Sequence, residues 1–318
     1  MTTTRRTFLG GLAALTLPTL SAKAAPPMLP VVDTHQHLWD LTKLRLSWLK
    51  PGDKTNPLSA PHTPTEYAAA TAGLNVVKAV YMEVAVAPED LQKEADYVVG
   101  LCESKATPTV AAVIGGAVGT PGFAAYVTPY KGHKSVKGVR KTLHGDDTPA
   151  GHALRAAFVK DVQLLGELGL SFDLCVRPVE LPDAVKLVAQ CPGTRFILDH
   201  CGNASPKFTP GELAAWRKSL GALAAKPNVV CKISGFVVNG HDKGHKFALE
   251  AADVAPIIDG VIEDFGIDRV MFGGDWPVVT MATTYKNWLG LVLEVIANRP
   301  EGERRKILHD NAVKQYGI

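Results

Sequence analysis

Short apolar, β-branched runs alternate along this chain with longer segments whose apolar residues recur every three or four positions. The short runs predict eight strands: Val31–His37, Val76–Val84, Thr109–Ile114, Val136–Arg140, Leu170–Val176, Arg195–His200, Val229–Ile233 and Val270–Phe272. The segments between them predict helices. Thr63-Pro64-Thr65-Glu66 has an N-cap residue, a proline at the first helical position and a glutamate able to close a capping box, and Thr209-Pro210-Gly211-Glu212 repeats the arrangement. Leu91, Ala95, Val98 and Cys102 form one stripe within a helix over 88–105, and Ala153–Leu168 is ended by Gly169. Further helices are expected over 123–130, 181–189, 210–225, 255–265, 284–297 and 301–316.

Continuous rather than alternating apolar strands, each followed by a helix, imply parallel pairing with both sheet faces covered. Eight such units over residues 25–318 predict a single (β/α)8 TIM barrel closed off by C-terminal helices. A doubly wound open sheet is the alternative. It calls for a glycine-rich phosphate turn after the first strand, and this chain has His35-Gln36-His37 there. The segment from Leu38 to about His62 is long for a connection and holds Trp39 and Trp48, a pattern typical of functional loops.

Charge and composition alter this picture at the N-terminus. The 318 residues carry 34 Lys+Arg against 31 Asp+Glu. Residues 1–24 hold Arg5, Arg6 and Lys23 and no acid, so the remainder has 31 of each sign. A balanced mature chain gives no electrostatic reason to expect nucleic acid or an anionic membrane as partner. Thr4-Arg5-Arg6-Thr7-Phe8-Leu9, a short apolar stretch and Ala22-Lys23-Ala24 have the layout of a twin-arginine export signal over 1–24, which places the mature protein in the periplasm without a stable membrane anchor. Cys102, Cys175, Cys191, Cys201 and Cys231 are odd in number and scattered, which argues against a disulfide framework or zinc knuckle.

In a barrel of this kind the chemistry gathers where strands end. Those ends carry His35 and His37, Glu83, Arg140 and Lys141, Asp173, His200, Lys232 and Asp275. His35 and His37 lie two apart on one strand, so both imidazoles reach one place, suited to a divalent ion. Glu83 is either a third ligand or the ion-pair partner of Arg140. Arg140 suits a carboxylate or polarised carbonyl. Lys232 either meets substrate or extends toward solvent. Asp173 and Lys141 are expected to face the helices, and His241 and His245 to be solvated in a polar loop. Trp39, Trp48 and Trp276 are candidate pocket walls for a sugar ring, with core packing as the alternative for each.

Taken together, His35-Gln36-His37, Leu198-Asp199-His200-Cys201-Gly202, Gly273-Gly274-Asp275-Trp276-Pro277, Gly138-Val139-Arg140 and Ile307-Leu308-His309-Asp310-Asn311-Ala312 resemble the amidohydrolase superfamily, in particular its sugar-lactone and pyrone-dicarboxylate lactonases. That resemblance implies a barrel hydrolase opening a small carbohydrate-derived or carboxylated lactone. Asp275 would act as general base toward water and then as acid toward the leaving oxygen, and His200 would orient substrate or water. Arg140, Lys232, Trp39 and Trp276 would contact substrate. His35, His37, Glu83 and Asp275 would hold a metal. The chain departs from two-metal members: Arg140 ends the fourth strand and the fifth has no histidine. One divalent ion, zinc foremost, or none is the expectation. A metal-dependent decarboxylase of the same superfamily and a non-catalytic periplasmic sugar-binding protein are the alternatives. Uninterrupted β/α alternation argues against the second.

Overall fold

The computed structural model describes Thr2 and residues 28–145, 148–240 and 249–318. The export segment over 1–24, His241 and His245 lie outside the described residues. Eight parallel strands, in sheet order from first to last, are β1 Val31–Gln36, β2 Val76–Met82, β3 Thr109–Gly115, β4 Val136–Leu143, β5 Ser171–Val176, β6 Arg195–Leu198, β7 Val229–Ile233 and β8 Val270–Phe272. Sequential parallel order with a covering helix between neighbours is the (β/α)8 barrel that the apolar runs predicted.

Both proline-led capping boxes form. Thr63 and Thr209 exchange hydrogen bonds with Glu66 and Glu212 and begin helices Pro64–Ala70 and Pro210–Ala224. Gly169 ends helix Ala156–Glu167 at a φ of +77°. The helix anticipated over 301–316 instead divides into Glu301–Arg305, a π turn Lys306–Asp310 and Asn311–Tyr316. Within the last piece, Asn311 donates its side-chain amide to the carbonyls of Ile267 and Val270, fixing the C-terminal chain to β8.

Two apolar layers hold the barrel. One fills the space between strands and helices; the other lies inside, where Val32, Val80, Met82, Val113, Ile197 and Met271 meet Ala312 and Tyr316 from the C-terminal helix. Above that inner layer the barrel is lined by ionisable groups.

The barrel closes in an unusual way. β8 is only three residues long, and the seam with β1 is completed by the chain beyond it. Asp275 donates its N–H to the His35 carbonyl at 2.8 Å and His37 donates to the Trp276 carbonyl at 2.8 Å. The Asp33 carboxylate accepts the N–H groups of Gly274 at 2.7 Å and His35 at 2.9 Å, and the Tyr67 and Tyr285 hydroxyls at 2.8 and 3.1 Å. A Cβ on Gly274 would lie 2.6 Å from Asp33 Oδ2 and 2.2 Å from the Tyr285 ring, so only glycine allows this contact.

The long connection after β1 is cinched at its base, where Trp39 and His62 exchange backbone hydrogen bonds of 2.8 Å in both directions. The indole N–H of Trp39 reaches the carbonyls of Leu58 and Ala60, and that of Trp48 reaches the carbonyl of Val84 at 2.9 Å. Among the described residues, no helix is long and apolar enough to cross a membrane.

Candidate active site

The ends of β1, β6, β7 and β8 converge on one buried cluster. Asp275 Oδ1 stands 3.3 Å from His37 Nε2 and 3.7 Å from His35 Nε2. His200, whose ring centre is 4.4 Å from that of His35, shares a 3.0 Å contact between its Nδ1 and Ser234 Oγ. The structure therefore brings Asp275, His200, His35 and His37 together. Asp275 and His200 both lie beyond their strands, each with a φ of +53°. β6 ends at Leu198, two residues short of His200, because the backbone turns left-handed over His200–Asn203. Gly235 is what lets this group close: a Cβ there would stand 2.2 Å from His200 Nδ1 and 2.5 Å from Asp275 Oδ2.

Protons in the cluster follow from which atoms can only donate or only accept. The Met82 carbonyl lies 3.0 Å from His37 Nδ1, so that nitrogen carries a hydrogen. Arg140 can only donate, and its Nη1 is 3.2 Å from His35 Nε2, so that nitrogen presents its lone pair. Burial lowers the pKa of His35 well below the ordinary imidazole value, and burial lowers that of His200 too, which favours neutral rings. The Nε2 atoms of His35 and His37 and Asp275 Oδ1 lie close enough together to share a proton or a cation.

A divalent ion fits that donor set, since imidazole nitrogen and carboxylate oxygen are zinc ligands. A second grouping of His35, Asp199 and His200 shares His35. The Arg140 guanidinium beside His35 Nε2 opposes a cation there, so His37 and Asp275 are the less contested ligands.

The remaining candidates sit differently. Glu83, expected as a ligand or a partner of Arg140, is the partner: Arg140 Nε donates to Glu83 Oε1 at 2.6 Å, and Nη2 donates to the Glu83 carbonyl at 2.8 Å. Lys232, a candidate for substrate or solvent, is fully buried and reaches neither bulk water nor the rim. Its Nζ lies 2.6 Å from Asp173 Oδ2 and 3.1 Å from Asp199 Oδ1. Asp173 accordingly faces the barrel interior rather than the helices. Trp39 and Trp276 are buried in an aromatic group with Tyr67 and His62, while Trp48 is 45% exposed.

Sequence reasoning passed over three buried carboxyls. Asp33 holds the seam. Asp199 lies among His35, Arg140 and Lys232. Glu94, on a helix, accepts the Tyr81 hydroxyl and the Val84 N–H beside Glu83. A carboxylate directly before a strand-end histidine was the available signal for Asp199; Glu94 had none beyond a charge on the apolar stripe.

A family model described as Amidohydrolase matches residues 32–318. An L-fucono-1,5-lactonase of Burkholderia multivorans is 28% identical over 292 residues, covering 90% of this chain and 96% of that protein. A crystal structure of an amidohydrolase from Burkholderia multivorans with bound zinc is 26% identical, with a TM-score of 0.77 over 91% of this chain and 99% of that one. A probable 2-pyrone-4,6-dicarboxylic acid hydrolase from Acinetobacter baumannii, with citric acid bound, shares the fold at 17% identity and a TM-score of 0.69, covering 91% of this chain and 100% of that one.

Proposed function

The chain belongs to the amidohydrolase family, and from that premise we propose that it hydrolyses a small, uncharged, sugar-derived lactone with Asp275 as the proton-transfer group. The observation that carries this is the Asp275 carboxylate on the β8–β1 seam, facing the Nε2 atoms of two strand-end imidazoles at 3.3 and 3.7 Å. The similarity to an L-fucono-1,5-lactonase supports the substrate class.

Lactone opening needs a base for water, an electrophile for the carbonyl oxygen and an acid for the ring oxygen. Asp275 accepts the proton as water attacks the carbonyl carbon. Arg140, fixed by Glu83, supplies positive charge where the oxyanion develops. When the tetrahedral adduct collapses, the acyl–oxygen bond breaks and Asp275 returns its proton to the ring oxygen, giving the open hydroxy acid. His200, with its Nδ1 engaged by Ser234 Oγ, orients water or substrate through Nε2. A divalent ion held by His37, Asp275 and His35 would polarise the carbonyl when bound.

Charge pairing supports an uncharged substrate over a carboxylated one. Arg140 already faces Glu83 and Asp199, and Lys232 already faces Asp173 and Asp199. These two buried cations are outnumbered by three carboxylates, so a substrate carboxylate would meet no surplus positive charge from them. The same consideration weighs against the decarboxylase alternative. On the strength of the Arg5-Arg6 segment, we place the reaction in the periplasm.

A panel of aldonolactones in a pH-indicator assay, run with and without chelator, tests this reading. Acidification from ring opening of an uncharged lactone is the expected result. Carbon dioxide release from an aromatic acid, turnover of carboxylated pyrones alone, or ligand binding without turnover would overturn it.

A further inference from the structure

Beneath the imidazoles, Arg140 joins a chain of buried charges whose other members, Asp199, Lys232 and Asp173, the chemistry above does not use. Asp199 is fully buried. Its Oδ2 is 3.4 Å from Arg140 Nη1, and its Oδ1 is 3.1 Å from Lys232 Nζ and 3.5 Å from His35 Nδ1. Lys232 is held from below by Asp173 at 2.6 Å and lies 5.9 Å from the centre of the Tyr316 ring. His35 Nδ1 and Asp199 Oδ1 are both sealed from solvent, and neither has a well-formed hydrogen bond elsewhere. Buried polar atoms in this condition call for an explanation. Here the two atoms face each other, a few tenths of an ångström beyond ordinary bonding distance.

His35 has two ring nitrogens, and Arg140 Nη1 donates to Nε2. A neutral imidazole with its lone pair on Nε2 must carry its hydrogen on Nδ1, directed at Asp199. The same Asp199 holds the Arg140 nitrogen that meets Nε2. One carboxylate thus sets both sides of the ring.

We propose that Asp199 is a positioning residue for the hydrolysis: it keeps His35 as the Nδ1–H tautomer, with the Nε2 lone pair free to accept from Arg140 Nη1, and steadies that guanidinium nitrogen beside the ring. Lys232 and Asp173 anchor Asp199 from below, which accounts for a lysine buried so deeply. A carboxylate behind a functional histidine commonly has this effect on ring orientation and tautomer. The catalytic consequence rests on the lactonase reading; the tautomer assignment does not.

The test is nitrogen-15 NMR of histidine-labelled full-length protein, with the His35 signals assigned by their loss in His35→Gln, together with steady-state kinetics of Asp199→Asn. In the wild type, His35 is expected as Nδ1–H. In Asp199→Asn, the amide oxygen stays with Arg140, Lys232 keeps Asp173 alone, the NH2 takes the Oδ1 place facing His35, and the ring hydrogen moves to Nε2. Turnover then falls on the order of 10- to 100-fold in kcat, with KM little changed. An Nε2–H ring in the wild type would overturn the proposal, as would well-folded Asp199→Asn with an unmoved tautomer or wild-type kcat. Should Asp199→Asn fail to fold, the wild-type spectrum alone decides. Should the wild type open no lactone, the lactonase reading fails while the spectra still judge Asp199.

Discussion

Asp33 Oδ1 accepts the backbone N–H of Gly274 at 2.7 Å, joining the first strand to the residue before Asp275. The same oxygen accepts the His35 N–H at 2.9 Å. One atom therefore fixes the spacing between the imidazole-bearing strand and the carboxylate-bearing turn. The residues that carry the imidazoles and the carboxylate are thus tied to one another through main-chain bonds as well as side chains.

That main-chain tie makes Asp275→Asn informative. The amide keeps the shape and the backbone bond to His35 but cannot accept a proton from water. We expect kcat to fall about a hundred- to ten-thousand-fold, with a thermal midpoint close to wild type by calorimetry. Near-normal kcat in the folded variant would remove Asp275 from the mechanism.

Lys232→Met tests a stability role. Deleting the ammonium leaves Asp173 and Asp199 buried without their shared partner, and breaking a buried pair from one side costs about 3–5 kcal/mol. Urea denaturation should register a loss of that order. A loss below about 1 kcal/mol would mean that Lys232 reaches solvent or substrate after all.

Glu94 predicts a pH dependence. Burial, reinforced by Glu83, pushes its carboxyl from 4.5 up to about 8. The folded protein thus keeps a proton that the unfolded chain releases near 4.5. This contribution is complete at lower pH and is lost as pH rises toward about 8. Asp173, pushed up to about 7 by burial, acts in the same direction. Glu94→Gln, which cannot ionise, should be more stable than wild type at pH above 8 by at least about 1 kcal/mol, with the advantage shrinking in acid. Equal pH slopes in denaturant titrations of both proteins would refute the assignment.

The metal count follows from Arg140. Because its guanidinium stands against His35 Nε2, elemental analysis should find no more than one divalent ion per chain, and His37→Ala should abolish whatever is bound. Two equivalents, with activity tracking both, would contradict this.

Processing at Ala22-Lys23-Ala24 predicts a mature chain starting at Ala25. Intact-mass measurement of periplasmic material would expose an error by showing residues 1–24 retained.

Much of the barrel was legible because strands covered on both faces must be continuously apolar, and because proline-led capping boxes mark helix starts. The convergence of His35, His37, His200 and Asp275 was legible from strand ends. The pairing of Glu83 with Arg140 was one of two readings open, and the partners of Lys232 were not legible, since position at a strand end does not say whether a long side chain turns outward or down the axis. Lys232 on β7 turns inward because Asp173, two strands away on β5, offers a buried acceptor, and no local pattern encodes that pairing. Asp199 was overshadowed by the histidine after it, and Asp33 acts through a glycine 241 positions away.

The left-handed backbone at His200 and Asp275 has a meaning for how this sequence was selected. In that conformation a residue with a Cβ costs roughly 1–2 kcal/mol, and glycine sits there without strain. A chain optimised for stability alone would carry glycine at both positions, as it does at the neighbouring Gly202 and Gly235. Imidazole and carboxylate stand there instead. The strain therefore falls on the two positions to which the proposed proton transfer and substrate orientation are assigned.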